Sequence, residues 1–473
     1  MDTIKRVLAE TQSICPVCRD PVKAFYIEDN GKVYFEKHCD IHGTCRTLAA
    51  ENLEDYEEWV KNPVINIPPK SVMTEGDDKD ESCPLHCGTC ENHMQTACCV
   101  LIDITDRCNQ HCPYCFAGSG NNDDSGEPSL YEIEKKYDLL LKLGEDRPFN
   151  IQLSGGEPTV RDDLPDIIKM ARMKGFEYVQ INSNGKRIAL EEGYAEKLKK
   201  AGASVVFMQF DGTDDDIYMK LRNEPLLDIK KKAIRNCERA GLPVTLVPTV
   251  VKGVNDGNIG DMLDFLLKNV NVVKGIHFQP VSFFGRYPDN SENTGKSHMQ
   301  EISGDFPGRI TMFGLLREIE KQSPQFKYED FCPIATGHTL CCFYSTYIRE
   351  PDGSARCTLT EERKKSGVGC CDASAADKAE VIRRDRDFVL NKWDIIPQEE
   401  SAKESNKYRS SMEITSMDDF LRYYRANTFT VTGMAFQDIS NIDAQRVKRC
   451  RVQVLSEDDR LIPFCAYNSI YRK

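Results

Sequence analysis

Between residue 98 and about residue 280, short apolar runs alternate with longer amphipathic ones. That alternation limits the folds open to this chain more than any other feature. CVLIDIT, FNIQLS, YVQIN, VVFMQF, VTLVPTVV and IHFQPV read as strands. SLYEIEKKYDLLLKL, LPDIIKMARMKG, YAEKLKKAG and IKKKAIRNCERAG read as helices, the second ending at Gly175. Strand and helix in turn build parallel βα units with right-handed crossovers. About six units fit, so the expected α/β fold is a partial (β/α)6 TIM-like barrel rather than a full eightfold one. Residues 281–300 and 352–410 are polar and irregular and read as loops or insertions.

Cysteine comes next in the argument, because the chain carries 21 in 473 residues. The N-terminal stretch MDTIKRVLAETQSI has no apolar core followed by a cleavage site, and no apolar run is long enough to span a bilayer. The expected setting is therefore cytoplasmic, with peripheral membrane contact left open. There an odd, large number of thiols points to metal rather than disulfides, and to reducing, oxygen-poor conditions. The net charge of −13 argues against a non-specific nucleic-acid binder.

The thiols fall in groups. Cys15 and Cys18 in CPVC, with Cys39 and Cys45, flank AFYIEDNGKVYFEK, whose alternation about Asn30-Gly31 reads as a tight β-hairpin. Four thiolates there suit a tetrahedral zinc or mononuclear iron site, with His42 competing for the position of Cys45. Residues 1–73 are expected to form this N-terminal rubredoxin- or zinc-ribbon-like unit, and the acidic run TEGDDKDES at 74–82 to mark its boundary. Cys83, Cys87 and Cys90 in CPLHCGTC are read as an auxiliary cluster segment, 82–97, completed by Cys98, Cys99 or a distant thiol, with zinc as the alternative. In a C-terminal unit, 301–473, Cys332, Cys341, Cys342, Cys450 and Cys465 are candidates for a further cluster. Cys357, Cys370 and Cys371 either join it or are plain buried thiols, and Cys237 reads as core.

The most informative group is CNQHCPYC, Cys108 to Cys115, directly after the first strand of the barrel expected over 98–300. Barrel enzymes place their active-site loops at that strand end. Three thiolates hold three irons of a [4Fe–4S] cluster, which normally takes four cysteines, so a deliberate shortage leaves one iron open to a small molecule. The alternative is a structural knuckle or an electron-transfer cluster. The next strand ends in LSGGEPTV, where Gly155 and Gly156 admit close backbone approach and Glu157 can accept a hydrogen bond from an ammonium group. INSNG (181–185) and QFDG (209–212) follow at later strand ends, and TVVKGVND (249–256) after the fifth strand.

The C-x3-C-x2-C spacing with Tyr114 before its last cysteine resembles the radical S-adenosylmethionine (SAM) superfamily. The resemblance implies that Cys108, Cys112 and Cys115 bind the cluster whose open iron chelates SAM. It implies that reductive cleavage gives a 5′-deoxyadenosyl radical, and that Tyr114, Ser154, Gly155, Gly156, Glu157, Asn182, Asn184, Gln209 and Asp211 are candidate SAM contacts; Asp211 and Asn182 also read as turn residues. CPVC, CDIHG, CPLHCGTCENH, IDITDRCNQHCPYC and IPFCAYN together resemble one branch of the superfamily, that of archaeal tetraether lipid synthases and related enzymes. That branch implies three [4Fe–4S] clusters, a rubredoxin-like iron, a reductant such as ferredoxin or flavodoxin, and the joining of two lipid methyl termini, unreachable by acid–base chemistry. The aromatics of FQPVSFFGRY (278–287) suit a lipid channel or the core. Two further readings stand beside lipid coupling: a methylase or modifier of a small polar molecule such as a pterin, and a multi-cluster electron carrier or metal-stabilised binding protein.

Overall fold

The computed structural model describes residues 5–69, 83–120, 127–144, 148–288, 306–360 and 417–472. The acidic run, Cys370 and Cys371 lie outside the described residues, as does most of 352–410.

Four antiparallel strands open the chain in the order β1 (Arg6–Ile14), β2 (Pro21–Asp29), β3 (Lys32–Cys39) and β4 (Gly43–Ala50). The β2–β3 turn is Asn30-Gly31, closed by the Asp29–Lys32 pair. Both turn residues have positive φ, 53° and 76°. That is the primed two-residue turn whose twist matches the flanking strands. A helix, Leu53–Val60, capped by the Asn52 side chain, follows and buries Tyr56 and Trp59. Trp59 donates from Nε1 to the carbonyl of Thr339 at 2.8 Å and meets Phe313 edge-on, which fixes the ribbon to the larger unit.

That unit is built on β5 (Cys99–Asp103), β6 (Asn150–Ser154), β7 (Val179–Ser183), β8 (Val205–Gln209), β9 (Val244–Val247), β10 (Thr249–Val250) and β11 (Val273–Pro280). Strands β5, β6, β7, β8, β9 and β11 pair in parallel in that order, as the alternation requires. The amphipathic helices between them, such as Leu164–Met173 and Leu227–Ala240, bury one face on the sheet, and Cys237 is core as expected. The sequence did not reveal how the sheet continues. The C-terminal part supplies β12 (Cys342–Arg349), β13 (Ala355–Cys357), β14 (Thr428–Met434), β15 (Val452–Leu455) and β16 (Leu461–Pro463). Strand β14 lies parallel beside β11, and β15 parallel beside β5. Eight parallel strands thus curve about one cavity, capped by antiparallel β12–β13 on one side and β16 on the other. Among the described residues no helix is long and apolar enough to cross a membrane.

Candidate active site and metal centres

The cavity measures about 390 Å³ and opens at the C-terminal ends of the parallel strands. Cys108, Cys112, Tyr114 and Cys115 line it, as do Ser154, Gly155, Gly156, Glu157, Asn182, Asn184 and Gln209. One candidate is placed otherwise. Asp211 is fully buried behind Arg222, which meets its carboxylate through two nitrogens at 2.6 and 2.9 Å. The backbone N–H of Thr249 adds a third bond. The carboxylate is thereby committed to holding a guanidinium, and Arg222, not Asp211, faces the cavity.

Arg222 sits in the last turn of a helix, Asp215–Arg222, that starts at an Asp214 cap and stops at Asn223 in the left-handed region. Its Nη1 donates to the carbonyl of Tyr114 at 2.7 Å. From the opposite side Arg286 donates to the carbonyls of Cys112 and Ser119, and its backbone pairs with Cys115. Two arginines therefore clamp the three-cysteine loop by its carbonyls. Neither was legible as a site residue, since each sits far along the chain from the loop it holds.

The Gly-Gly-Glu turn is held as tightly. A Cβ on Gly155 would stand 2.1 Å from the carbonyl oxygen of Thr105, and one on Gly156 2.2 Å from that of Arg107, so only glycine fits either position. Glu157 is buried and accepts from Thr159, from the Ser183 hydroxyl and from the N–H of Asn184. Its Oε2 takes one of these donors and keeps a lone pair for another. Asn184 bonds Asn109 at 2.7 Å and braces the cysteine loop. Lys230, fully buried, donates to the Asn184 carbonyl and to Gln209 Oε1, and burial pulls its pKa down to about 7.

The donor set fits the group the motif implies. Burial raises the Cys108 thiol to about 12 and shifts the Cys112 thiol upward too, and a bound cation is what makes such thiols good ligands. Cys108, Cys112 and Cys115 would hold the cluster, and Gln110 beside them has a buried amide nitrogen without a bonding partner.

A sequence model described as the radical SAM superfamily matches residues 102–266, and one described as the HMPTM N-terminal zinc ribbon domain matches 7–51. A 7,8-dihydro-6-hydroxymethylpterin dimethyltransferase of Methanocaldococcus jannaschii is 32% identical over 98% of this chain and 94% of its own length. The chain belongs to the radical SAM superfamily. A probable GTP 3′,8-cyclase of Methanothermobacter thermautotrophicus is 33% identical over 37% of this chain and 55% of its own length. Among solved structures, Streptococcus suis SuiB bound to precursor peptide SuiA matches at 16% identity, covering 50% of this chain and 47% of that one, with a TM-score of 0.38.

Superfamily members use SAM with a [4Fe–4S] cluster and an external reductant, and the ribbon supplies a separate metal site. There the expected ligand set changes. Cys15, Cys18, Cys39 and His42 bring their donor atoms within 4.8 Å of one another. A tetrahedral ion with metal–sulfur bonds of about 2.3 Å spaces two thiolates about 3.8 Å apart. Cys18 and Cys39 sulfurs are 3.8 Å apart, and His42 Nδ1 is 3.6 and 3.5 Å from those of Cys15 and Cys39. Cys45 lies two residues into β4, opposite Lys37, with its sulfur 3.5 Å from the Ser440 carbonyl. The turn after Cys39 folds His42 back over the site, and the strand carries Cys45 away. His42→Ala is expected to lower bound zinc or iron, measured by plasma mass spectrometry on anaerobic protein; Cys45→Ala is expected to leave it unchanged.

The other thiols separate into neighbourhoods. Cys83 and Cys90 act on the buried Cys87, and so does Cys450 from the far end of the chain. Cys450 in turn senses Cys465 and Cys341, and Arg446 bonds the Cys341 sulfur at 3.3 Å. Cys332 lies apart from these, packed with Leu359, Tyr344 and Cys357, so the five C-terminal thiols do not form one group. Cys342 begins β12, its sulfur 4.0 Å from where a Gly337 Cβ would stand. Cys450→Ala is expected to remove about four irons per chain, the content of one cluster, while 5′-deoxyadenosine still forms. Iron assay and chromatography check both.

Proposed function

We propose that this chain is a radical SAM methylase acting on a small reduced heterocycle of the pterin kind. The observation that carries the reading is the relationship to the M. jannaschii pterin dimethyltransferase along 98% of this chain and 94% of that protein. The cavity supports it. Its size suits a small ligand, and Gln152, Gln180, Asn182, Gln209 and His277 line it. Joining lipid tails asks for a long apolar channel, and amides along the barrel interior favour that reading less. Of the aromatic run at 278–287, Phe278 is core while Phe284 and Tyr287 reach the cavity.

When bound, SAM and its cluster supply a 5′-deoxyadenosyl radical that takes hydrogen from a carbon beyond the reach of acid–base chemistry. This chain's residues do the rest. Arg222 and Arg286 fix the cysteine loop, and the Gly155-Gly156 turn sets the approach. Phe284 and Phe436 both pack against Phe464, and the three rings form an apolar part of the cavity wall.

The test is anaerobic expression in a host that makes both dihydropterins and isoprenoid lipids, followed by mass spectrometry of both pools. Pterins carrying one or two added methyl groups support the reading. Paired lipid chains lacking two hydrogens, with pterins unchanged, overturn it in favour of tail coupling.

A further inference from the structure

Barrel interiors are ordinarily filled with branched apolar side chains. Here the inward positions carry amides and an imidazole. His277 on β11 places Nδ1 2.8 Å from the hydroxyl of Thr432, and that hydroxyl lies 3.4 Å from the Ile276 carbonyl, to which it donates. In the tautomer in which the hydroxyl proton goes to that carbonyl, the hydroxyl accepts from Nδ1–H and Nε2 is left as an acceptor. Burial lowers the His277 pKa to about 4, so the ring stays neutral.

Gln152 and Gln180 stand opposite each other on β6 and β7. Cys99 contacts Gln152 Oε1 at 3.3 Å, which turns the amide nitrogen of Gln152 away as a donor. Gln180 donates to Asn182 Oδ1 at 3.1 Å, which turns its own carbonyl away as an acceptor. Phe207, next to Asn182 on β8, lies 6.2 Å from the His277 ring and offers an aromatic wall. Both glutamines, Phe207 and His277 line the one cavity.

Resting on the pterin reading, we infer that His277 Nε2, Gln180 Oε1 and the Gln152 amide nitrogen bind the amino-lactam edge of the heterocycle, with Phe207 against its ring. Such an edge offers N–H donors and one carbonyl acceptor, the complement of two acceptors and one donor. These are substrate-positioning groups; none touches the cysteine loop.

The test uses anaerobically reconstituted holoenzyme with SAM bound. Binding of 6-hydroxymethyl-7,8-dihydropterin and of guanosine, which carries the same edge, is measured calorimetrically for wild type, His277→Phe and His277→Gln. The expected result is a loss of about tenfold or more for His277→Phe, as when a polar partner is left unpaired. His277→Gln, which keeps an acceptor, recovers most of it, and SAM affinity does not change. Equal dihydropterin binding by wild type and His277→Phe overturns the inference and leaves the pterin reading standing. Guanosine binding that depends on His277, without dihydropterin binding, overturns the pterin reading and keeps the edge recognition. Binding of neither by wild type overturns both.

Discussion

Reduced, reconstituted protein carrying Cys108→Ala is expected to form 5′-deoxyadenosine only at the level of an enzyme-free blank. The same holds for Cys112→Ala and Cys115→Ala, because three thiols already sit one short of a full ligand set, and the further described cysteine lining the cavity, Cys99, begins β5 at the strand end away from the loop. The ribbon metal gives the internal control: its content should be unchanged, since Cys15, Cys18, Cys39 and His42 lie in a separate unit. Turnover of SAM by any of the three variants at wild-type rate would show that this loop does not hold the active cluster.

The second large effect lies in a residue that the sequence reading misplaced. Asp211→Ala is expected to destabilise the fold by about 3–5 kcal/mol, because it strands a buried guanidinium. Arg222 and Asp211 are 7% and 0% exposed at their side chains, so water cannot replace the lost partner. Arg222 also holds the Tyr114 carbonyl, so the variant should lose SAM affinity along with stability. Thermal unfolding under anaerobic conditions, with SAM binding measured in parallel, checks both. Arg222→Lys keeps the charge and loses the fork, and should fall between wild type and Asp211→Ala in both measurements. An unchanged melting temperature for Asp211→Ala would refute the bracing role.

Local patterns were readable where local physics decides. Period-two strands, amphipathic helices and the Asn30-Gly31 turn appear where their side chains require them. The three-cysteine loop and the Gly-Gly-Glu turn meet at one cavity, as strand ends of a parallel sheet must. Choices made by tertiary packing were harder. QFDG reads as a turn with a free carboxylate, and only the folded helix returns Arg222 to Asp211. Cys45 looked a better ligand than His42 because residue type says nothing about which side of β4 it faces. One signal was present and unused. In strands buried on both faces, polar residues at alternate positions are out of place. Gln152, Gln180, Asn182, Gln209, His277 and Gln279 are such residues, and they mark the cavity wall.

The pairing of β15 with β5 has a consequence for how this protein is made. Val454 lies beside Leu101, so the partner of the first sheet strand is translated about 350 residues after it. The ribbon waits as long: Thr11 and Tyr26 both bond Asp443, and buried Lys37 bonds the Ile439 carbonyl. At about 5–20 residues per second, the edge of β5 stays uncovered on the ribosome for about 20–70 s. An open strand edge invites pairing with other chains. Yield in a foreign host should therefore respond to slower initiation and added chaperone more than to any change in the active-site loop.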